Sequence, residues 1–110
     1  MLKQINMFKN LRTAVIGAGS MGKNHARIYS EISDLVAIVD VNEELGLQMS
    51  EKYGTKYCKS FSDLVGKVDA VSIAVPTKYH FEIASYLIEN GINILVEKPL
   101  TDHFLDSEKL

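Results

Sequence analysis

Two hydrophobic rhythms alternate along the chain. Leu11–Ile16, Leu35–Val39, Thr55–Cys58, Ala70–Val75 and Ile92–Val96 are short runs dominated by apolar and β-branched residues. Between them, apolar positions return every third or fourth residue. Met21, His25, Ile28, Tyr29 and Ile32 do so around a helix expected from about Ser20 to Glu31. Leu45, Met49 and Tyr53 mark a second helix, and His80, Ile83, Ala84, Leu87 and Ile88 a third. The first rhythm predicts strands and the second amphipathic helices. Asn42 suits the N-cap of the second helix, with Gly54 past its end; Asn90-Gly91 closes the third. Ser62-Asp63-Leu64-Val65 has room only for a short helix, Pro76 stops the fourth strand, and Thr101 or Asp102 caps a last helix. Residues 1–10 read as a polar leader and 11–110 as the domain.

Strands that alternate with helices are parallel and joined by crossovers. Their apolar runs are continuous, as in a sheet covered on both faces. The expected fold is α/β: a doubly wound parallel sheet of about five strands in the order 3-2-1-4-5. Its switch point lies between strands 1 and 4, at their carboxyl ends, where such sheets bind ligands.

Composition narrows the partners. The chain has 110 residues, 46% apolar and 24% charged, which suits one domain with a modest core. A net charge of −2 gives no electrostatic ground for nucleic acid or an anionic membrane as partner. No apolar run approaches the ~20 residues of a membrane span. "MLKQINMFKN" lacks the apolar core and cleavage site of a secretory signal. Cys58 is the only cysteine, so no internal disulfide forms and a reducing cytoplasm is the expected compartment. The few histidines and the one cysteine lack zinc-site spacing, and no metal is expected.

The chemistry gathers at the carboxyl edge. "VIGAGSMG" places Gly17-x-Gly19-x-x-Gly22 directly after strand 1 and at the opening of a helix. Gly17 permits the tight turn, Gly19 lets the backbone approach a pyrophosphate, and Gly22 lets helix and strand pack closely. The helix N-terminus, at Ser20 and Met21, offers free N–H groups and a positive dipole end to phosphates. Asp40 ends strand 2 near the fingerprint's spacing. A carboxylate there accepts the ribose hydroxyls and repels a 2′-phosphate, so NAD is favoured over NADP. No arginine follows it; Val41 and Asn42 do. Two competitors are a ligand-free structural turn and an S-adenosylmethionine site, which also uses a glycine turn and an acid after strand 2.

Taken together, "AVIGAGSMGKNHARIYSE", the acid of "AIVDVN", "VSIAVPTKYHFEIA" and "ILVEKPLT" resemble the Gfo/Idh/MocA family of nicotinamide-dependent oxidoreductases, in family order and across about residues 11 to 101. "MGKNHARIYSE" is most similar to the branch acting on nucleotide-linked N-acetylamino sugars. The resemblance implies an NAD(P)-binding domain of an enzyme moving hydride between the cofactor and a sugar or cyclitol hydroxyl. It implies cofactor contacts at Val75, Pro76, Thr77, His80, Glu97 and Lys98, beside those of Gly17, Gly19, Ser20, Met21, Gly22 and Asp40. It makes Lys98 the catalytic lysine that orients and polarises the substrate hydroxyl. It also implies a second domain carrying the proton-accepting histidine. On this expectation the chain is truncated, and alone binds cofactor without turnover. The alternative is a stand-alone NAD(H)-binding or sensing module that acts with a partner chain.

The remaining candidates have plainer roles. His25 faces inward as a packed, hydrogen-bonded histidine, and His103 is solvated near the terminus. His80 serves either the cofactor side or the packing of a helix start. Cys58 acts as a small buried hydrophobe. Strand 5 is expected to be an edge, with Ile92, Ile94 and Val96 poorly covered, and therefore prone to self-association.

Overall fold

A computed structural model of the chain describes residues 9–95. The strands are β1 (Arg12–Ile16), β2 (Asp34–Val39), β3 (Lys56–Cys58), β4 (Ala70–Ile73) and β5 (Asn93–Leu95). The helices are α1 (Ser20–Ile32), α2 (Glu43–Tyr53) and α3 (His80–Glu89), with 3₁₀ turns at Phe61–Leu64 and Thr77–Tyr79. All strand pairs are parallel, and the sheet order is β3-β2-β1-β4-β5. The doubly wound fold expected from the alternating rhythms is therefore present. The polar leader through residue 8, Val96 at the end of the fifth run and the last expected helix lie outside the described residues.

The continuous strand runs follow from two buried faces. Ala14, Ile16, Ala37, Val39, Val71 and Ile73 point to one side, where Leu64 and the α3 residues Ile83 and Leu87 cover them. Val15 and Ile38 point to the other, under Ala26 of α1 and Met49 of α2. Side chains alternate across a strand, so a run apolar at every position is what two covered faces require.

Three expected elements shift. β4 leaves the ladder after Ile73, two residues before the expected Val75. The Ala74 N–H still donates to the Ile16 carbonyl, after which Ala74 closes on the backbone of Gly17. The short helix is a 3₁₀ turn one residue earlier, begun by Ser60, whose hydroxyl accepts from the Ser62 N–H. Ile92 and Ile94 are not poorly covered. Ile92 is buried, its N–H donates to the Leu87 carbonyl, and Ile94 packs on the α3 side. The helix that precedes β5 folds back over it and supplies that cover.

Candidate functional site

The two N-terminal helices begin differently. Asn42 caps α2, its side-chain oxygen accepting from the Leu45 N–H at 3.1 Å, and Glu43 and Glu44 stand in the first turn. α1 has neither aid: its N-cap is Gly19, with no side-chain cap and no acid in the first turn. The first N–H groups of α1 are thus left for a ligand anion.

Each glycine of the turn has its own reason. Gly17 sits at φ +110°, and a Cβ there would lie 2.7 Å from the Ala74 carbonyl oxygen. A Cβ on Gly22 would lie 1.9 Å from the Gly17 carbonyl oxygen. The close packing expected of Gly22 is thus against the turn itself; Val15 of the strand stays at an ordinary 3.6 Å. Gly19 differs: a Cβ there would meet nothing within 4 Å. That open space, beside the uncapped start of α1, fits a pyrophosphate approaching the backbone.

Asp40 follows β2 and joins the two turns. One carboxylate oxygen accepts from the Ala18 N–H and the other from the Asn42 N–H, each at 2.7 Å. A carboxylate has about four acceptor positions, so two remain. The Asp40 N–H donates to the Cys58 carbonyl and its own carbonyl accepts the Tyr57 hydroxyl at 2.7 Å. Partial burial, then the nearby Glu43 and Asp40 charges, raise the Tyr57 phenol above its ordinary value.

These turns border one cleft of about 600 Å³ along the carboxyl edge, within the range of cofactor sites. Gly17 and Gly19 line it from β1, Asp40 from β2, and Val75 and Pro76 from beyond β4. Ser20, Met21 and Gly22 are not in the lining; the first two open α1 beside it. His80 is not in the lining either. Its Nε2 bonds the Val75 carbonyl at 2.6 Å, pinning the loop that is. Thr77 begins the 3₁₀ turn after Pro76. Glu97, Lys98 and His103 lie outside the described residues.

Val41, Leu45, Lys59, Phe61, Tyr79 and Glu82, none of them expected at the site from the sequence, also line the cleft. The available signal was position: Val41, Lys59 and Phe61 follow closely on the carboxyl ends of β2 and β3, whereas Leu45, Tyr79 and Glu82 reach the cleft from within or just before α2 and α3. His25 is buried, and its Nδ1 pairs with the buried Ser72 hydroxyl of β4, away from the cleft. Cys58 is half-buried, and burial first, then the Asp63 charge, raise its thiol pKa, which disfavours the reactive thiolate. Among the described residues no helix is long and apolar enough to cross a membrane, and no group of three His, Cys, Asp or Glu side chains gathers as for a metal ion.

Comparison with known proteins agrees with this geometry. Residues 11–110 match the Gfo/Idh/MocA model, described as an oxidoreductase family with an NAD-binding Rossmann fold. The chain is 38% identical, over 91% of its length, to UDP-N-acetylglucosamine 3-dehydrogenase of Acidithiobacillus ferrooxidans, and covers 31% of that protein. A solved structure of that dehydrogenase superposes with a TM-score of 0.77 at 37% identity, covering 83% of this chain and 30% of that one. The crystal structure of GenD2 from gentamicin A biosynthesis, in complex with NAD, gives a TM-score of 0.78 at 34% identity, over 86% of this chain and 28% of that one. Inositol 2-dehydrogenase of Corynebacterium glutamicum (strain R) is 37% identical over 86% of this chain and 30% of its own length. The chain spans about a third of the length of the curated relatives it matches.

Proposed function

Because the chain belongs to the Gfo/Idh/MocA family of oxidoreductases, we propose that it forms the NAD(H)-holding part of a dehydrogenase acting on a sugar or cyclitol hydroxyl. A UDP-linked N-acetylamino sugar is the favoured substrate class, given the similarity to UDP-N-acetylglucosamine 3-dehydrogenase. The observation that carries the reading is the turn after β1. There an uncapped helix start and open space over Gly19 face a cleft lined by Asp40.

The pyrophosphate is held by the N–H groups opening α1, with Gly19 leaving room for it. Asp40 keeps two acceptor positions for ribose hydroxyls, and its charge opposes a 2′-phosphate. Val75 and Pro76 supply a backbone wall, fixed by the His80 contact. Nicotinamide, when bound, supplies hydride acceptance and donation. Lys98 orients and polarises the substrate hydroxyl, and Glu97 steadies it or meets the cofactor. On this reading the chain alone binds cofactor without turnover, in a reducing cytoplasm that suits its one cysteine. It also self-associates through β5, the outermost strand among the described residues on that side of the sheet.

Titration calorimetry of the chain with NADH and NADPH tests the reading. Saturable binding that favours NADH is expected. Asp40→Asn keeps the side chain's shape and removes its charge, and should narrow the preference about tenfold. No binding of either dinucleotide would overturn the reading.

A further inference from the structure

Every polar group of Asp40 is engaged: its N–H by Cys58, its carbonyl by Tyr57, and its carboxylate oxygens by Ala18 and Asn42. Three of these four ties are to backbone groups of its own sheet edge or adjoining turns. The fourth comes from a side chain, Tyr57 of the edge strand β3. A Cβ on Gly46, inside α2, would lie 2.3 Å and 2.5 Å from the Tyr57 ring carbons Cε1 and Cδ1. Glycine is a poor helix former, and this helix has it where the ring lies. The phenol is thereby wedged between α2 and the carbonyl that ends β2.

We propose that Tyr57, seated on Gly46, is a positioning residue that fixes the Asp40 carboxylate for the ribose and so sets the choice between NADH and NADPH. This rests on the dinucleotide reading above. Tyr57 does not line the cleft and acts through Asp40 alone. Without its hydroxyl the Asp40 carbonyl loses its tie to β3 and the β2–α2 turn loosens; the carboxylate, still held by the Ala18 and Asn42 N–H groups, is placed less sharply, and discrimination against a 2′-phosphate weakens.

The test is calorimetry of the full chain and its variants with NADH and NADPH, with thermal unfolding alongside. Tyr57→Phe keeps the ring and removes the donor. It should weaken NADH about three- to tenfold, NADPH less, and so shrink the ratio. Gly46→Ala should displace the ring and shrink the ratio in the same way. In a Tyr57→Ala background, where the methyl has room, Gly46→Ala should change the ratio no further. A merely structural role would lower the melting temperature and leave the ratio alone. A wild type that prefers NADH, with Tyr57→Phe at the same ratio, overturns the positioning role and leaves the dinucleotide reading standing. A wild type that binds neither dinucleotide overturns both.

Discussion

Two alanine substitutions three residues apart should fail in opposite ways. In Gly22→Ala the new Cβ would lie 1.9 Å from the Gly17 carbonyl oxygen, whereas real Cβ contacts stay beyond 3.0 Å. The shortfall is 3.0 − 1.9 = 1.1 Å, and the obstacle is backbone. Gly17 has little freedom to yield: its N–H is bonded to the Val39 carbonyl at 2.7 Å, and Ala74 closes its other side. Overpacking of this kind costs about 1–3 kcal/mol. Alanine's better helix propensity offsets at most about 1 kcal/mol. A net loss of about 1–2 kcal/mol, roughly 5–15 °C in melting temperature, is expected.

Gly19→Ala meets nothing within 4 Å, and Gly19 has φ −76°, which alanine adopts without strain. The gain from a stiffer unfolded chain and the loss of glycine at an N-cap nearly cancel, leaving stability within about 0.5 kcal/mol of wild type. The methyl occupies the space assigned to the pyrophosphate, so NADH affinity should fall at least tenfold, or about 1.4 kcal/mol. Denaturation with and without NADH separates the two effects. At a hundredfold excess over its Kd, NADH should stabilise wild type by about 2.7 kcal/mol. A variant binding tenfold more weakly should gain only about 1.4 kcal/mol at the same concentration. A full ligand shift in Gly19→Ala would refute the placement of the phosphates. A Gly22→Ala chain as stable as wild type would refute the packing argument.

Other expectations follow from the edges of the structure. Arg12 donates to both Asp69 carboxylate oxygens and holds that carboxyl below its ordinary range. A depressed folded pKa adds stability above the ordinary carboxylate value, and this is lost as pH falls through the folded one. Asp69→Asn should therefore cost a little stability at neutral pH and nothing in strong acid; an equal cost at both would sink the linkage. If the β5 edge pairs, light scattering should show mass rising with concentration, and a clean monomer at high concentration would count against it. Lys98→Ala in a longer parent should leave NADH affinity nearly intact and remove turnover; normal turnover would refute the assigned role.

The parts of the fold legible in the sequence are those fixed by neighbours in the chain. Strand runs without polar–apolar alternation announced a sheet covered on both faces, and alternation with helices announced parallel strands, for which 3-2-1-4-5 was the expected order. Asn42 and Gly54 marked the ends of α2 because caps act within one turn. The Gly17, Gly19 and Gly22 spacing was visible for the same reason: the turn is local. What escaped is tertiary. β4 ends early, at the point where Ala74 lies close against Gly17 beyond the neighbouring strand. Ile92 and Ile94 are covered by a helix that folds back over them, and no periodicity within a three-residue strand reveals that.

Asp40 shows where this division matters for function. Its position after strand 2 could be read directly; the ribose contact proposed for it is what the NADH and NADPH titrations test. Its orientation could not be read. That depends on the Ala18 N–H from the preceding turn and on a phenol seventeen residues further along, itself seated on a helix glycine. A spacing rule therefore locates the acceptor, while residues the rule never mentions hold it still. Two chains with the same glycine turn and the same acid can then differ in how sharply they refuse a 2′-phosphate. The difference should lie in what stands at the positions of Gly46 and Tyr57.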